Sequence, residues 1–472
     1  MTKPLTSLRR TLILLNTLIL TLMANIDASI VNIALPNIAK SFHAGMNNVQ
    51  WVVSSYLITI SAVILVWGRL ADLHGRKRFF VAGLGIFTLG SLLCGLADNL
   101  PFLVASRVVQ AVGASMGMAL VQAIVTSIYP PEERGKALGY IGSTVAIGSL
   151  LGPGLGGLLV HFFSWPAIFF VNVPIGILGV ILTLVVMPES ESQTGDFDWP
   201  GSLLFSALVV LFFSWLLLWQ EGLAPLPFLI TAPVLSVILL VAFFKLEKKR
   251  PHPLLEESLF ASRTFTLGVT ASWFSYVAMF GYVLFMPFYL QNVLGLSAWQ
   301  AGLLLSIYPL VLAVVAPLAG RLSDRFGVQL FTMGGLMVTA VGLMVVATLG
   351  LASLLLEVGF LIGLLGLGTA LFQSPNNSSV MGAAPRHRLG IAGSVNSFFR
   401  NLGMVSGAAF AVALFSVVTN TGASGWTGIT NKLLFLSGFR VVILAMAGAA
   451  FAGALVSMVR NHRGENKRQL SR

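Results

Sequence analysis

Of the 472 residues, 56% are hydrophobic and only 9% are charged, where a soluble domain carries roughly a quarter charged residues. That balance excludes a water-soluble globular protein, and apolar stretches of about 20 residues, each enough to cross a ~30 Å hydrocarbon core, recur along the chain. A net charge of +12 would suggest nucleic acid in a soluble protein, so the placement of the basic residues decides what it means. The single cysteine, Cys94, excludes an internal disulfide framework and a multi-cysteine metal site.

The opening "MTKPLTSLRR" and the apolar sequence after it have the outline of a signal peptide. The run continues through Ile33 without a convincing processing site, so it is read as an uncleaved first helix. Breaking the chain at charged and Gly/Pro/Asn-rich stretches predicts fourteen spans, near 11–33, 50–68, 79–97, 101–126, 137–160, 166–187, 199–220, 227–245, 265–291, 298–320, 331–350, 352–373, 391–418 and 437–459. With the N-terminus in the cytoplasm, 23 of the 28 Lys and Arg residues fall on cytoplasmic tails, loops and helix ends, and only Lys40, Lys432 and Arg440 fall outside. The positive-inside rule thus predicts an even number of spans with both termini cytoplasmic, in a cell membrane, and explains the charge without nucleic acid. Arg107 and Arg400 remain inside the membrane.

Two segments echo one another: "GRLADLHG" (Gly68 to Gly75) and "GRLSDRFG" (Gly320 to Gly327) match at five of eight positions, after spans 2 and 10. Two related halves follow, over 1–190 and 263–472, with residues 191–262 as two inserted spans and a linker. The inserted pair follows the acidic residues Glu189, Glu191, Asp196 and Asp198, has no charge in its interior, and suggests no chemistry. Parallel halves are a transporter architecture, with a substrate site expected near the midplane where they meet.

Asp27 lies in "NIDASIVNIALP", inside the first apolar run. At ~1.5 Å per residue it sits about 9 Å below the outer end of span 1, and Arg107 sits about 9 Å below the outer end of span 4. Desolvation favours a neutral carboxyl and a nearby cation favours a charged one, so a movable arginine at matching depth would set when Asp27 takes up a proton. A static ion pair fixing helix 1 to helix 4 is the other reading, and one pair can do both. Glu357, about 8 Å into span 12, is read either as a second protonation site or as an interfacial residue. Arg400, about 14 Å into span 13, needs a carbonyl or polar partner and is read first as structural.

Five segments occur in order: "IDASIVNIALP" (26–36), "GRLADLHGRKR" (68–78), "LVASRVVQAVGA" (103–114), "GYIGSTVAIGSLLGPGLGG" (139–157) and "SWPAIFFVNVPIG" (164–176). In them the chain resembles the major facilitator superfamily, and within it the fourteen-helix drug:proton antiporters, over essentially its whole length. The resemblance implies an all-α membrane fold of two six-helix halves plus two inserted helices. It implies that Asp27 couples protons or cations and that Arg107 is linked to it; Ala111 stands where the family usually has glycine. It also implies that the loop after helix 2, with Gly68, Asp72, Gly75, Arg76 and Lys77, is a charged latch at the cytoplasmic mouth, kept more weakly in the second copy around Asp324. The helix 5 residues Gly148, Gly152, Pro153, Gly156 and Gly157 would leave a bare backbone for close helix approach, and in the family this pattern goes with antiport.

Helix 9 is dense in aromatics, most of them ordinary for a membrane helix. Tyr276 and Phe280 are the picks for stacking on a flat lipophilic cation, with Tyr56 and Gln122 as polar cavity candidates. The expected activity is export of lipophilic, cationic drugs in exchange for protons by alternating access. The rival is export of one specific metabolite or lipid, and a proton-coupled importer disagrees with the helix 5 pattern. The six histidines have no ligand-like spacing and no serine sits in a nucleophile motif, so neither an enzyme, a metal nor a cofactor is expected. The expected partners are the bilayer, protons and small lipophilic substrates, with an envelope adaptor left open.

Overall fold

The computed structural model describes residues 7–129, 131–189, 197–221, 225–247, 257–384, 389–420 and 432–460. Among them there is no strand, as expected where a bilayer forces every backbone N–H and C=O to be paired within its own segment. Fourteen long helices appear: α1 (Ser7–Ser41), α2 (Trp51–His74), α3 (Arg76–Gly95), α4 (Leu100–Ile128), α5 (Pro131–Phe163), α6 (Asn172–Val186), α7 (Trp199–Glu221), α8 (Leu226–Glu247), α9 (Arg263–Phe288), α10 (Ala298–Phe326), α11 (Val328–Val346), α12 (Leu355–Gly382), α13 (Leu389–Thr419) and α14 (Lys432–Val459). Among the described residues, 13 helical segments are long and apolar enough to span a membrane, the fifth of them joining the turn Ala167–Phe170 to α6. The remaining long helix, α5, has 33 residues. The protein is therefore a multi-pass membrane protein.

Local sequence sets several of the helix starts. Asn99 caps α4 by accepting from the Phe102 N–H at 2.8 Å, with Pro101 in the first turn, where its missing N–H costs nothing. Ser297 and Gln300 form a reciprocal capping box at the start of α10. Several helices outrun the spans expected from sequence: α1 runs to Ser41 rather than stopping near Ile33, carrying Pro36 within it, α2 runs to His74, α10 to Phe326 and α12 to Gly382.

The chain forms two compact units: Met1–Ala44, Asn48–Phe212 and Ile230–His252 in one, and Gly45–Asn47, Phe213–Leu229 and Pro253–Arg472 in the other. Within the first, α1 packs chiefly on α5, α2 on α4 and α3 on α4. Within the second the same pairs recur eight helices later: α9 on α13, α10 on α12 and α11 on α12. The repeated octapeptide has one geometry in both copies. Gly75 (φ 100°) separates α2 from α3, donating to Ala71 O at 2.9 Å, and Gly327 (φ 97°) separates α10 from α11, donating to Ser323 O at 2.9 Å. Only glycine enters that region without strain, so the break between helices is fixed at these two residues. Gly68, by contrast, lies inside α2 and makes no turn.

Candidate functional site

In the first unit, Asp27 is wholly buried in the interior of α1, and three side chains from two other helices converge on it. Arg107 Nη1 of α4 donates to Asp27 Oδ2 at 2.6 Å. Gln110 Nε2, one turn further along α4, donates to Oδ1 at 2.8 Å, and Asn172 Nδ2, at the first residue of α6, donates to the same oxygen at 3.2 Å. The carboxylate so placed has three donors and no water-facing side. This is the arrangement that offsets the several kcal/mol it costs to desolvate an ion.

Arg107 does not depend on Asp27 alone. Its Nε donates to Val52 O of α2 at 3.0 Å, Nη1 is shared with Gln110 Oε1, and the guanidinium lies over the Tyr56 ring at 4.1 Å and the Phe169 ring at 5.7 Å. Gln110 ties the layer together, donating also to Ser91 Oγ at 2.8 Å and accepting from the Cys94 thiol at 3.7 Å. Cys94 is thus a packing residue at the edge of the network, fully buried. Next to the arginine, the start of α2 carries buried polar atoms without a hydrogen-bond partner, namely the Gln50 amide and the hydroxyls of Ser54, Ser55 and Tyr56.

The pairing of Asp27 with Arg107 follows the expectation from matched depth, although helix ends were a poor ruler for it: α1 extends 14 residues beyond Asp27. Tyr56 is not a cavity wall here, because at 2% exposure it forms the floor beneath Arg107. Gln110 and Asn172 went unnoticed as ligands. Gln110 lies three residues after Arg107, on the same helix face, and Asn172 is the lone polar side chain in "FFVNVPIG", so both had a legible signal.

The glycine positions of α5 lie against the same stretch of α1. A Cβ at Gly148 would meet Asn25, one at Gly152 would meet Ser29, and one at Gly156 would meet Ile30 and Ile33. Ser29 Oγ reaches Gly148 O at 3.5 Å. Asp27 is therefore carried on a helix segment seated directly on bare α5 backbone, where small shifts are sterically possible and added bulk is not. Pro153 lies within the helix, partly exposed, and Gly157 is buried.

Other expected residues are placed differently. Glu357 stands exposed in the first turn of α12, a placement that fits the interfacial reading of the two. The side chains of Asp72, Gln122 and Asp324 lie outside the described residues. In the proposed latch, Lys77 pairs with Glu189 at 3.3 Å, an exposed contact of the kind worth about 1 kcal/mol or less, while Arg76 opens α3. In the second unit, Tyr276 and Phe280 are both partly exposed, one turn apart on α9. Among the described residues no group of three or more metal-ligating side chains occurs.

Residues 17–408 match the family model described as Major Facilitator Superfamily. The chain belongs to this superfamily. It is 36% identical over 396 residues to the riboflavin transporter RibZ of Clostridioides difficile, covering 84% of this chain and 86% of that protein. It is 35% identical over 392 residues to the multidrug resistance protein Stp of Mycobacterium tuberculosis, covering 82% of this chain and 72% of that one. A crystal structure of a bacterial homologue of the human lysosomal transporter Spinster, inward-facing and occupied, superposes with a TM-score of 0.69 at 15% identity, covering 96% and 97% of the two chains. That likeness shows the major facilitator fold. The protein is a membrane transporter of this superfamily, and family membership indicates transport rather than catalysis.

Proposed function

We propose that the protein is a proton-driven exporter of lipophilic organic compounds, working by alternating access in the cell membrane with both termini in the cytoplasm, and that Asp27 is its proton site. The observation that carries this reading is the double anchoring of Arg107. When Asp27 takes a proton, the guanidinium keeps Val52 O, Gln110 Oε1 and the Tyr56 face, so the cation left when the ion pair opens is still hydrogen-bonded and its cost is reduced. A purely structural pair needs no such second set of partners. The orphaned polar atoms of Gln50, Ser54, Ser55 and Tyr56 beside Arg107 would hold a file of water along which the proton arrives. The α5 glycines against α1 supply the room for the Asp27 segment to shift as its charge changes.

Export rather than import rests on the helix 5 glycine–proline pattern and on relatives such as Stp, named for multidrug resistance. A second reading, export of one specific metabolite, is favoured by the relative named as a riboflavin transporter. The experiment is reconstitution of wild type and Asp27→Asn into liposomes holding a pH-sensitive dye. Ethidium, a neutral lipophile and riboflavin are then added in turn under an imposed pH gradient. Proton movement on addition of several unrelated compounds, lost in Asp27→Asn with binding retained, is the expected result. Movement with riboflavin alone selects the specific-cargo reading, and coupling by Asp27→Asn at the wild-type rate refutes the role of Asp27.

A further inference from the structure

The two interior arginines are opposites. Arg107 has a carboxylate; Arg400 has none. Arg400 is 11 residues into the 31-residue α13, and the six helices α9–α14 carry only two acids, Asp324 three residues from the end of α10 and Glu357 three residues into α12. Both stand some 20 Å along their helices from the level of the residues that meet Arg400. Among the described residues no ion pair involves Arg400.

What surrounds it is a set of donors. The Tyr276 oxygen accepts from Gln373 Nε2 at 3.0 Å and lies beside the Arg400 guanidinium, so it faces donors and has its own O–H to give. Arg400 Nε–H is buried with no partner, and so is the indole N–H of Trp273, one turn before Tyr276 on the same face of α9. Gly403, one turn after Arg400, lets α13 close directly onto the backbone of Trp273 and the Cβ of Tyr276, which sets the arginine at this level of α9. Phe280 continues the α9 stripe as an aromatic wall. Arg400, Trp273, Tyr276, Gln373 and Phe280 are all partly exposed. A partly exposed arginine at this depth faces an aqueous cavity, since lipid would not tolerate it.

We propose that these residues form a cargo subsite for aromatic anions: the ring of the compound lies along Trp273, Tyr276 and Phe280, and its carboxylate or equivalent acceptor supplies the counter-charge that Arg400 lacks. Three free N–H and O–H donors and one unpaired cation recognise an acceptor; they offer nothing to an ammonium group. This deepens the transport reading and rests on it for the word cargo, while the site stands on Arg400 and its neighbours alone. It also gives transport an electrical signature. One proton exchanged for one cation is electroneutral, whereas a proton entering as an anion leaves moves net charge.

The test uses two probes with one ring system, 1-pyrenecarboxylate and 1-pyrenemethylammonium. Binding to the purified full chain is read by pyrene fluorescence, and counterflow with protons is read in liposomes with and without a potassium–valinomycin potential. Wild type should bind the carboxylate at least about tenfold more tightly than the ammonium, and Arg400→Gln should lose about tenfold or more for the carboxylate only, the scale of one charge-assisted hydrogen bond. Arg400→Lys should restore part of it, and Tyr276→Phe should weaken carboxylate binding several-fold, which keeps the test open if Arg400→Gln does not fold. Preference for the ammonium, or carboxylate binding indifferent to both Arg400→Lys and Tyr276→Phe, overturns the subsite. Arg400-dependent binding without potential-sensitive proton exchange supports the subsite and removes the exporter reading, so the two can fail separately.

Discussion

Asp27→Asn keeps the shape of the side chain and deletes its charge, leaving Arg107 at 1% exposure without a counter-ion. Breaking a buried pair from one side costs about 3–5 kcal/mol. Because Arg107 retains Val52 O, Gln110 and Tyr56, the low end applies, near 3 kcal/mol, or roughly 6–12 °C in melting for a unit of this size. Arg107→Met costs less, since a lone Asp27 can take a proton and keep Gln110 and Asn172 as partners. Combining Asp27→Asn with Arg107→Met removes both charges, and replacing a buried pair by neutral groups is close to neutral or stabilising. The double variant should therefore melt within about 1 kcal/mol of wild type, giving a coupling energy of about 2 kcal/mol or more.

The reporter is built in: Cys94 is the one cysteine, fully buried beside Gln110, so a thiol-reactive dye registers the opening of this unit alone. All three variants should lose proton coupling, the double variant despite its recovered stability. If Asp27→Asn melts with wild type, or if the two single losses simply add, the pair is not one energetic unit and the argument from double anchoring fails.

Three further outcomes follow from the packing. Gly152→Ala places its Cβ against Ser29 and should cost about 1–3 kcal/mol and slow proton-coupled transport, with Ser29→Ala recovering part of both in the combined variant. Gly75→Ala, at φ 100°, should lower stability by about 1–2 kcal/mol in the dye assay, while Gly68→Ala, with open space around its Cβ position, should leave melting unchanged. Glu357→Gln should leave proton flux at the wild-type rate, because its carboxylate is exposed at the start of α12.

The sequence made the fold and the main charge pair legible for different reasons. Span count follows from hydropathy, a property summed over about 20 residues and insensitive to one-residue errors. The repeat showed through because both copies need a positive φ at one position, and glycine is what meets that need, at Gly75 and Gly327. Asp27 and Arg107 stood out because a charge in the membrane has few ways to be stable, and each was the only candidate partner for the other in the first half of the chain. Gln110 and Asn172 were missed because a neutral amide within an apolar run is ordinary until something charged is known to sit beside it.

Arg400 is the harder case, since the sequence asks for a carbonyl or polar partner and the structure sets the Tyr276 hydroxyl beside it. Sequence shows that a buried charge must have a partner, and a structural one is the economical assumption for a protein considered without its cargo. The structure places Tyr276 beside Arg400, with its oxygen already accepting from Gln373 Nε2, and leaves the Arg400 Nε–H without a partner. A helix bundle that pairs one interior arginine four ways and leaves the other among unsatisfied donors is not packed for stability at the second position. Such a deficit persists where something outside the chain fills it, and in a transporter the thing that comes and goes is the cargo. Under the proposal made above, the cargo brings the anion that the C-terminal unit lacks, while the proton falls to the carboxylate that the N-terminal unit already has.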